Sequence, residues 1–266
     1  MNITYKNEEY RPQNYKKSKG YWDIAKGLQK VDNLETSKYL DDLINANLAG
    51  QKTYEEVEKE LINYYENNDE DFERQAEADL SATRISMILN EPDFRLTKGE
   101  LVHIHKFIFT NNFPEVLKKY VGVFRDINIS KAEPVLNGKT VIYTNSPLIE
   151  EYLDYDLSEE NARGKIEEID NIAHLAKFVS NIWNIHPFRE GNTRTIATFL
   201  LKYLRKNGFD VNNDLFKDYS KYFRDSLVLA SDNETYQTAD YSYLESFLYK
   251  LLKDPSAELK QINFKK

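Results

Sequence analysis

Residues 186–195 hold a dense group of polar side chains whose types suit phosphate chemistry. His186 is a proton acceptor that a protein can tune near neutral pH. Glu190 is a hard oxygen ligand of the kind that Mg²⁺ prefers. Gly191 lets the backbone approach a ligand closely, and Arg194 presents a planar cation to phosphate oxygens. Such a combination of a base, a metal ligand and an anion-binding group is the equipment of phosphoryl or nucleotidyl transfer.

Two apolar segments that repeat at helical spacing flank this loop. Residues 172–185 precede it, and residues 196–204 follow it and end at the stop signal Lys206-Asn207-Gly208. Residues 192–194 therefore fall at a helix N-terminus, where free N–H groups and the helix dipole favour anions. The alternative, which the loop composition leaves open, is a capped helix–helix turn whose charges are solvated or paired with one another.

Length and composition restrict the class of protein. A chain of 266 residues allows one large domain, or one domain with a small appendage. The presence of only 9 Gly and 7 Pro argues against an all-β fold, and the absence of Cys excludes disulfides and thiolate metal sites. A net charge of −8 disfavours direct nucleic-acid binding. The sequence has no membrane-span or signal-peptide pattern, so we expect a cytoplasmic protein.

The first 69 residues predict a three-helix unit that follows a polar arm over residues 1–20. The predicted helices are 21–31, 37–48 and 54–67. Ser37 is the expected N-cap of the second helix, and Thr53 with Glu56 forms a capping box for the third. We place a domain boundary in the hydrophilic segment 67–71, although so small a unit needs a surface to pack against.

The remainder predicts a helical core over residues 70–254 and a polar tail over residues 255–266. Its helices are expected at 70–90, 101–110, from Ser146, at the two segments flanking the loop, and at 216–231 and 241–252. Residues 154–168 read as a polar, acidic link. In the 101–110 helix, a spacing of two puts His103 and His105 on different faces, so we expect one to be buried and the other solvated rather than a shared metal site.

One segment predicts β structure. It is a hairpin with the favoured Asn-Gly turn, and its residues are Val135, Leu136, Asn137, Gly138, Lys139, Thr140, Val141, Ile142 and Tyr143. The fold class expected from the sequence is therefore all-α, with one small β-hairpin.

Residues 186–194 resemble, almost residue for residue, the Fic family signature HPFx(D/E)GN(G/K)R. Only Thr193 departs from it, at a position where Gly is the commoner residue. The segment Gly122 to Arg125 and the hairpin before the signature also occur in the order expected of a Fic core. The resemblance covers about residues 80–250 and implies a Fic-fold helical bundle.

The resemblance implies ATP-dependent transfer of AMP, with Mg²⁺, onto a Ser, Thr or Tyr hydroxyl of a target protein, which can be the chain itself. His186 would deprotonate the hydroxyl, and Glu190 would hold Mg²⁺. The hairpin would be a flap that holds the target by strand addition. The residues expected to bind the nucleotide are Arg189, Glu190, Gly191, Asn192, Thr193 and Arg194.

The sequence departs from the family pattern in its regulatory residues. Many Fic enzymes have a second arginine three positions after the first, where this chain has Ala197. The family's inhibitory helix carries (S/T)xxxE(G/N), and its glutamate pairs with that second arginine. Two segments could be its remnant. The N-terminal unit, which resembles the small antitoxin proteins that silence Fic toxins, here fused in cis, has Leu28, Asp32 and Asn33 at the motif positions, whereas residues 81–86 lack the acid altogether. We therefore expect Asp32 and Asn33 to lie near the nucleotide site without assembling the usual ion-pair lock.

Two other functions fit the same residues. One is transfer of a different phosphate-containing group, such as UMP, phosphate or phosphocholine. The other is a nucleotide-binding regulatory module without catalysis, which Ala197 makes plausible.

Overall fold

The computed structural model describes residues 15–67, 73–164, 171–211, 214–232 and 239–262. Within these ranges the regular secondary structure is helical, without a β-strand, and no helix is both long and apolar enough to cross a membrane. The all-α prediction is thus confirmed. The α-helices are α1 (Tyr15–Gln29), α2 (Lys38–Leu48), α3 (Tyr54–Glu66), α4 (Glu73–Asn90), α5 (Lys98–Phe109), α6 (Glu115–Lys118), α7 (Ile149–Arg163), α8 (Ile172–Ile185), α9 (Asn192–Lys206), α10 (Leu215–Ala230) and α11 (Ser242–Leu252). Short 3₁₀ helices span Lys30–Asp32, Pro134–Leu136 and Ser146–Leu148.

Helix α1 lies inside the core, where it packs against α4 and α10. Its buried side includes Tyr21, Trp22 and Leu28. The helix also includes residues 15–20, which the sequence had placed in a polar arm, so the prediction was wrong there. Ser18 is buried, which shows that this end of the helix packs despite its polar composition. The rest of the arm lies outside the described residues, as does most of the predicted boundary at 67–71.

The close approach of α1 to α10 depends on Gly27. A Cβ atom at that position would lie 2.2 Å from the carbonyl oxygen of Phe216 and 2.5 Å from the Cα of Lys217. Ser220 donates a hydrogen bond of 2.6 Å from its hydroxyl to the Gly27 carbonyl across the same crossing. The missing side chain therefore allows α1 to lie against α10 and brings the following 3₁₀ turn toward α9.

The predicted helix caps are confirmed. Ser37 accepts a hydrogen bond from the amide of Leu40, and Thr53 with Glu56 forms the complete capping box of α3. Thr97 caps α5 by accepting from the amide of Glu100. These contacts join residues three apart, so the local sequence is enough to specify them.

The β-hairpin predicted over Val135–Tyr143 lacks its strands. Asn137 and Gly138 take the expected positive φ values of 55° and 84°. The backbone hydrogen bonds between the two arms, however, stay at the turn. The amide of Glu133 donates to the carbonyl of Lys139 at 2.9 Å, the amide of Gly138 donates to the carbonyl of Glu133 at 3.0 Å, and no ladder continues from them.

One feature of the sequence and one set of hydrogen bonds explain the missing strands. Pro134 cannot donate a backbone hydrogen bond, and it opens a 3₁₀ turn instead of a strand. The second arm is bonded to the end of α8 rather than to the first arm: the amide of Thr144 donates to the Asn184 carbonyl at 3.3 Å, and the Asn184 side chain donates to the Ile142 carbonyl at 3.1 Å. The segment is an irregular loop attached to α8, and we call residues 130–144 the flap segment.

The prediction of an acidic link over residues 154–168 was wrong for its first part, because α7 continues to Arg163. Leu153, Leu157 and Glu160 are buried at helical spacing and hold this face against the core. Residues 165–168 lie outside the described residues.

We predict that Gly27→Ala destabilises the protein, because the new methyl group must displace the α10 backbone. The expected loss of unfolding free energy in urea is about 1–3 kcal/mol, the usual cost of overpacking a rigid site. Gly99→Ala is the matched control, since its Cβ would meet only the Thr97 side chain at 3.7 Å. The control should be neutral or slightly stabilising, whereas a Gly27→Ala protein as stable as the parent would contradict this packing.

Candidate active site

The loop between α8 and α9 is closed by side-chain hydrogen bonds of its own. The amide group of Asn192 accepts from the backbone N–H of Phe188 at 2.9 Å and donates to its carbonyl at 2.8 Å. Gly191 has φ 74°, and a Cβ there would lie 2.4 Å from the ring of Phe109. Asn192 and Gly191, both predicted to bind the nucleotide, thus also determine the shape of the loop.

His186 is a buried, neutral imidazole. Its imidazole is 3% exposed and lies against the rings of Tyr143 and Trp183. Nδ1 is 3.3 Å from the carbonyl oxygen of Trp183, which can only accept, so the ring proton belongs on Nδ1. Nε2 is buried and has no hydrogen-bond partner among the described residues. Burial, followed by the charge of Lys131, lowers the pKa of His186 well below its ordinary value, so Nε2 keeps a free lone pair at neutral pH.

Arg125 holds the backbone of this histidine. Its Nε donates to the His186 carbonyl at 2.8 Å, and its Nη2 donates to the carbonyls of Ile185, at 3.2 Å, and Thr144. Its own backbone amide donates to the carbonyl of Pro187 at 2.8 Å. A buried cation at the C-terminus of α8 complements the free carbonyls and the helix dipole there. Arg125 therefore joins α8, the signature loop and the flap segment.

His105 holds the other side of the loop. Its Nδ1 accepts from the amide of Gly122 at 2.9 Å, so its Nε2 must carry the proton that is donated to the Glu190 carbonyl at 3.0 Å. Its ring stacks on Phe188 at a centroid distance of 3.9 Å. Burial lowers the pKa of His105 to about 3, which keeps this donor neutral. His105 is buried and His103 is exposed, as predicted.

The side chains of Arg189 and Glu190 point to different partners. Arg189 pairs with Asp126, and its guanidinium lies 3.6 Å above the ring of Tyr120. Glu190, whose side chain is 44% exposed, accepts from Lys131 Nζ at 3.1 Å. Both side chains of the signature loop are therefore held in ion pairs, Arg189 with Asp126 and Glu190 with Lys131 of the flap segment.

Arg194 has carboxylates where a nucleotide was expected to place phosphates. The guanidinium is 2% exposed, with Nε 2.8 Å from Asp32 Oδ2 and Nη2 2.6 Å from Glu77 Oε1. Nη1 donates to Gln29 Oε1 at 3.1 Å and to Ser81 Oγ at 3.3 Å. The guanidinium carbon Cζ also lies 4.7 Å from the centroid of the Phe109 ring. All the partners of this cation come from α1, the 3₁₀ turn after it, α4 and α5.

The usual ion-pair lock cannot form, because Ala197, which is fully buried on α9, supplies no cation. Asp32 instead pairs with Arg194 itself, which the sequence did not predict. Asp32 reaches the guanidinium because the 3₁₀ turn carries it there, and Asn33 ends that turn with a positive φ of 55°. Glu77 was missed, although it lies one helical turn before Ser81 on α4 and so shares its face.

Thr193 has a structural reason for departing from glycine. Its hydroxyl accepts a hydrogen bond of 3.0 Å from the indole N–H of Trp183, a ring that also packs on His186. This contact connects the start of α9 to the end of α8.

The comparison with protein families agrees with this geometry. Residues 95–204, which include the signature loop and Arg125, match the Fic/DOC family. Residues 95–204 form a Fic domain. The acids paired with Arg194 lie outside the matched residues, since Asp32 of the 3₁₀ turn and Glu77 of α4 both precede residue 95. No curated protein sequence matches the chain.

The fold resembles a solved Fic structure. The N-terminal Fic domain of a VirB-translocated Bep effector protein from Bartonella quintana aligns with a TM-score of 0.50 at 20% sequence identity. The alignment covers 67% of this chain and 81% of that one. At this identity the likeness concerns the fold alone.

The two buried histidines predict the pH dependence of stability. Because the pKa of His105 is about 3 in the folded protein and near its usual value after unfolding, the unfolded chain binds more protons below pH 6.5. Stability is therefore lost as the pH falls, by about 2 kcal/mol for His105 between pH 8 and pH 5. His186 acts in the same direction.

We predict that His105→Gln flattens the pH dependence of the unfolding free energy, measured by urea denaturation between pH 8 and pH 5. Exposed His103→Gln is the control and should keep the slope of the parent. An unchanged slope in His105→Gln would show that His105 is not held neutral by the fold.

Proposed function

We propose that this protein is an adenylyltransferase that transfers AMP from ATP to a hydroxyl side chain of a target protein. The observation that carries the proposal is the unpartnered, buried Nε2 of His186 in the same short loop as Arg194, a buried cation that holds two carboxylates. A base without a partner has little structural purpose, since a buried polar atom left unsatisfied costs free energy. The Fic domain supports the transferase class.

The proposed reaction forms a bond between the target hydroxyl oxygen and the α-phosphorus of ATP and breaks the bond to the departing pyrophosphate. The hydroxyl proton passes to Nε2 of His186, whose Nδ1–H stays on the Trp183 carbonyl. Negative charge grows on the α-phosphate, and fixed N–H groups at the start of α9 together with Arg194 would stabilise it. Such fixed electrostatic groups usually contribute the largest part of the rate enhancement.

Glu190 fits a magnesium site that the nucleotide completes. Within the described ranges, no cluster of three or more acidic or histidine side chains could hold a metal ion by itself. Mg²⁺ is commonly bound by one or two carboxylates together with substrate phosphates, and Glu190 is a half-exposed carboxylate next to the loop. When bound, the ion would neutralise charge on the phosphates.

The flap segment remains our candidate for target binding. Ile142 is exposed between two buried residues, Val141 and Tyr143, and Tyr143 lies directly on His186. The Tyr143 hydroxyl donates to Glu133 at 3.1 Å, and Glu133 is paired with Arg224 of α10 at 2.8 Å. Target binding would have to move Tyr143 off the imidazole before a hydroxyl could reach Nε2.

The structure has the features of a self-inhibited form. Phosphate oxygens can reach Arg194 only if the carboxylates of Asp32 or Glu77 leave it, so both sets of anions compete for one cation. Asp32 is the better candidate to leave, because its side chain is 34% exposed and that of Glu77 is 14% exposed. We propose that Asp32, with Asn33 as the end of its turn, regulates nucleotide access.

The first test uses the intact mass of the Asp32→Asn protein after incubation with ATP and Mg²⁺. We expect addition of AMP to the chain itself or to an added acceptor protein, with release of pyrophosphate, and we expect His186→Ala in the same background to abolish both. Added masses of UMP, phosphate or phosphocholine from a panel of donors would identify one of the other transfers. Nucleotide-induced thermal stabilisation without any covalent product would replace our proposal with a binding module.

The second test compares AMP transfer by the parent with transfer by Asp32→Asn, which keeps the shape of the side chain and removes its charge. We expect transfer to rise about tenfold, because the change removes the ion pair that competes for Arg194, and a tenfold effect corresponds to about 1.4 kcal/mol. Glu35→Gln removes an exposed charge three residues away and should behave like the parent. Equal transfer rates in the parent and Asp32→Asn would remove Asp32 from the regulation of the site.

A further inference from the structure

Lys131 lies on the flap segment, beside Glu190 of the signature loop. Its backbone amide donates to the Thr140 hydroxyl at 3.2 Å, which fixes the lysine relative to the returning arm of the segment. Its Nζ is 3.1 Å from Glu190 Oε2. The Lys131 side chain is 28% exposed, so the pair is open to solvent and a surface ion pair of this kind is held weakly.

The other cations around the loop are held more firmly by their partners. Arg125 is bound to backbone carbonyls at the end of α8, and Arg189 is bound to Asp126 and Tyr120. Arg194 is enclosed by acids, and the next turn of α9 carries the buried Ala197. Lys131 is the cation of this set that can change partner by moving only its own flexible side chain.

The charge of Lys131 also affects the pKa of His186, the proposed base. It is the second cause, after burial, of the lowered pKa of His186. The ammonium group is therefore electrostatically close to both ends of the signature loop, Glu190 at one end and His186 at the other. A polyphosphate that extended from Arg194 toward Glu190 would bring its negative charge to the same place.

We propose that Lys131 binds the β-phosphate of the nucleotide, exchanging the Glu190 carboxylate for a phosphate oxygen. This inference rests on the proposed function, because it assumes that a nucleotide occupies the signature loop. The exchange balances charge: the ammonium keeps an anionic partner, and Glu190 is released to serve as a metal ligand. A compact, rotatable ammonium on a long stem suits such a change of partner better than a fixed guanidinium.

The opposing account is that Lys131 only neutralises Glu190 and obstructs nucleotide binding. The two accounts predict opposite changes in ADP affinity when the ammonium group is removed. Loss of the ammonium weakens binding of a diphosphate if Lys131 holds phosphate, and it strengthens binding if Lys131 blocks the site. Comparison of ADP with AMP adds a selective readout, because AMP has no β-phosphate.

The experiment measures ADP and AMP binding by isothermal titration calorimetry, with and without Mg²⁺, in the Asp32→Asn protein. Lys131→Met should weaken ADP binding about tenfold, AMP binding should change by less than about threefold, and Lys131→Arg should restore much of the ADP affinity. Lys177→Met, which removes an exposed charge from α8, is the matched control and should leave both affinities unchanged.

The other outcomes separate failure of the Lys131 role from failure of the proposed function. Unchanged or tighter ADP binding by Lys131→Met, or an equal loss of ADP and AMP affinity, would overturn the role of Lys131 and leave the proposed function standing. If Asp32→Asn itself binds neither nucleotide, the proposed function fails, and the role of Lys131 fails with it. Thermal melting of each variant would establish that it is folded before the titrations are compared.

Discussion

The arrangement of the site depends on a buried guanidinium and the carboxylates that balance it. Arg194 cannot give up its charge, and a cation removed from water needs anionic or carbonyl partners. Asp32 and Glu77 supply them from elements outside the signature loop. The same requirement makes Arg194 a potential phosphate site, because any anion that replaces a carboxylate satisfies it equally well. Regulation and substrate binding are therefore proposed to use one cation in turn.

The rest of the loop is held by side chains that bind backbone carbonyls. Arg125 binds the carbonyl of His186, and neutral His105 binds the carbonyl of Glu190. These contacts fix the main chain at both ends of the loop without using Nε2 of His186 or the carboxylate of Glu190. Tyr143 then covers the ring from the flap segment. In the proposed reaction, His186 acts as a base only after a target has displaced this cover.

Local sequence predicted the features that local sequence controls. The cap at Ser37, the capping box at Thr53 and the loop between two apolar helices follow from residues a few positions apart. The pair of Asp32 with Arg194 joins distant parts of the chain, and the sequence did not predict it because the partner was sought at Ala197, one helical turn further on. The missing strands near Pro134 have a similar origin, since the competing hydrogen bonds come from α8, which is distant in sequence.

The most direct measurement of the central claim is the affinity of the folded protein for ADP, compared between the parent and Asp32→Asn by calorimetry. If the Asp32 carboxylate occupies the anion site on Arg194, removing its charge should tighten ADP binding about tenfold, equivalent to about 1.4 kcal/mol. Equal or weaker binding by Asp32→Asn would contradict the account, because it would mean that the acid and the phosphates do not compete for this arginine.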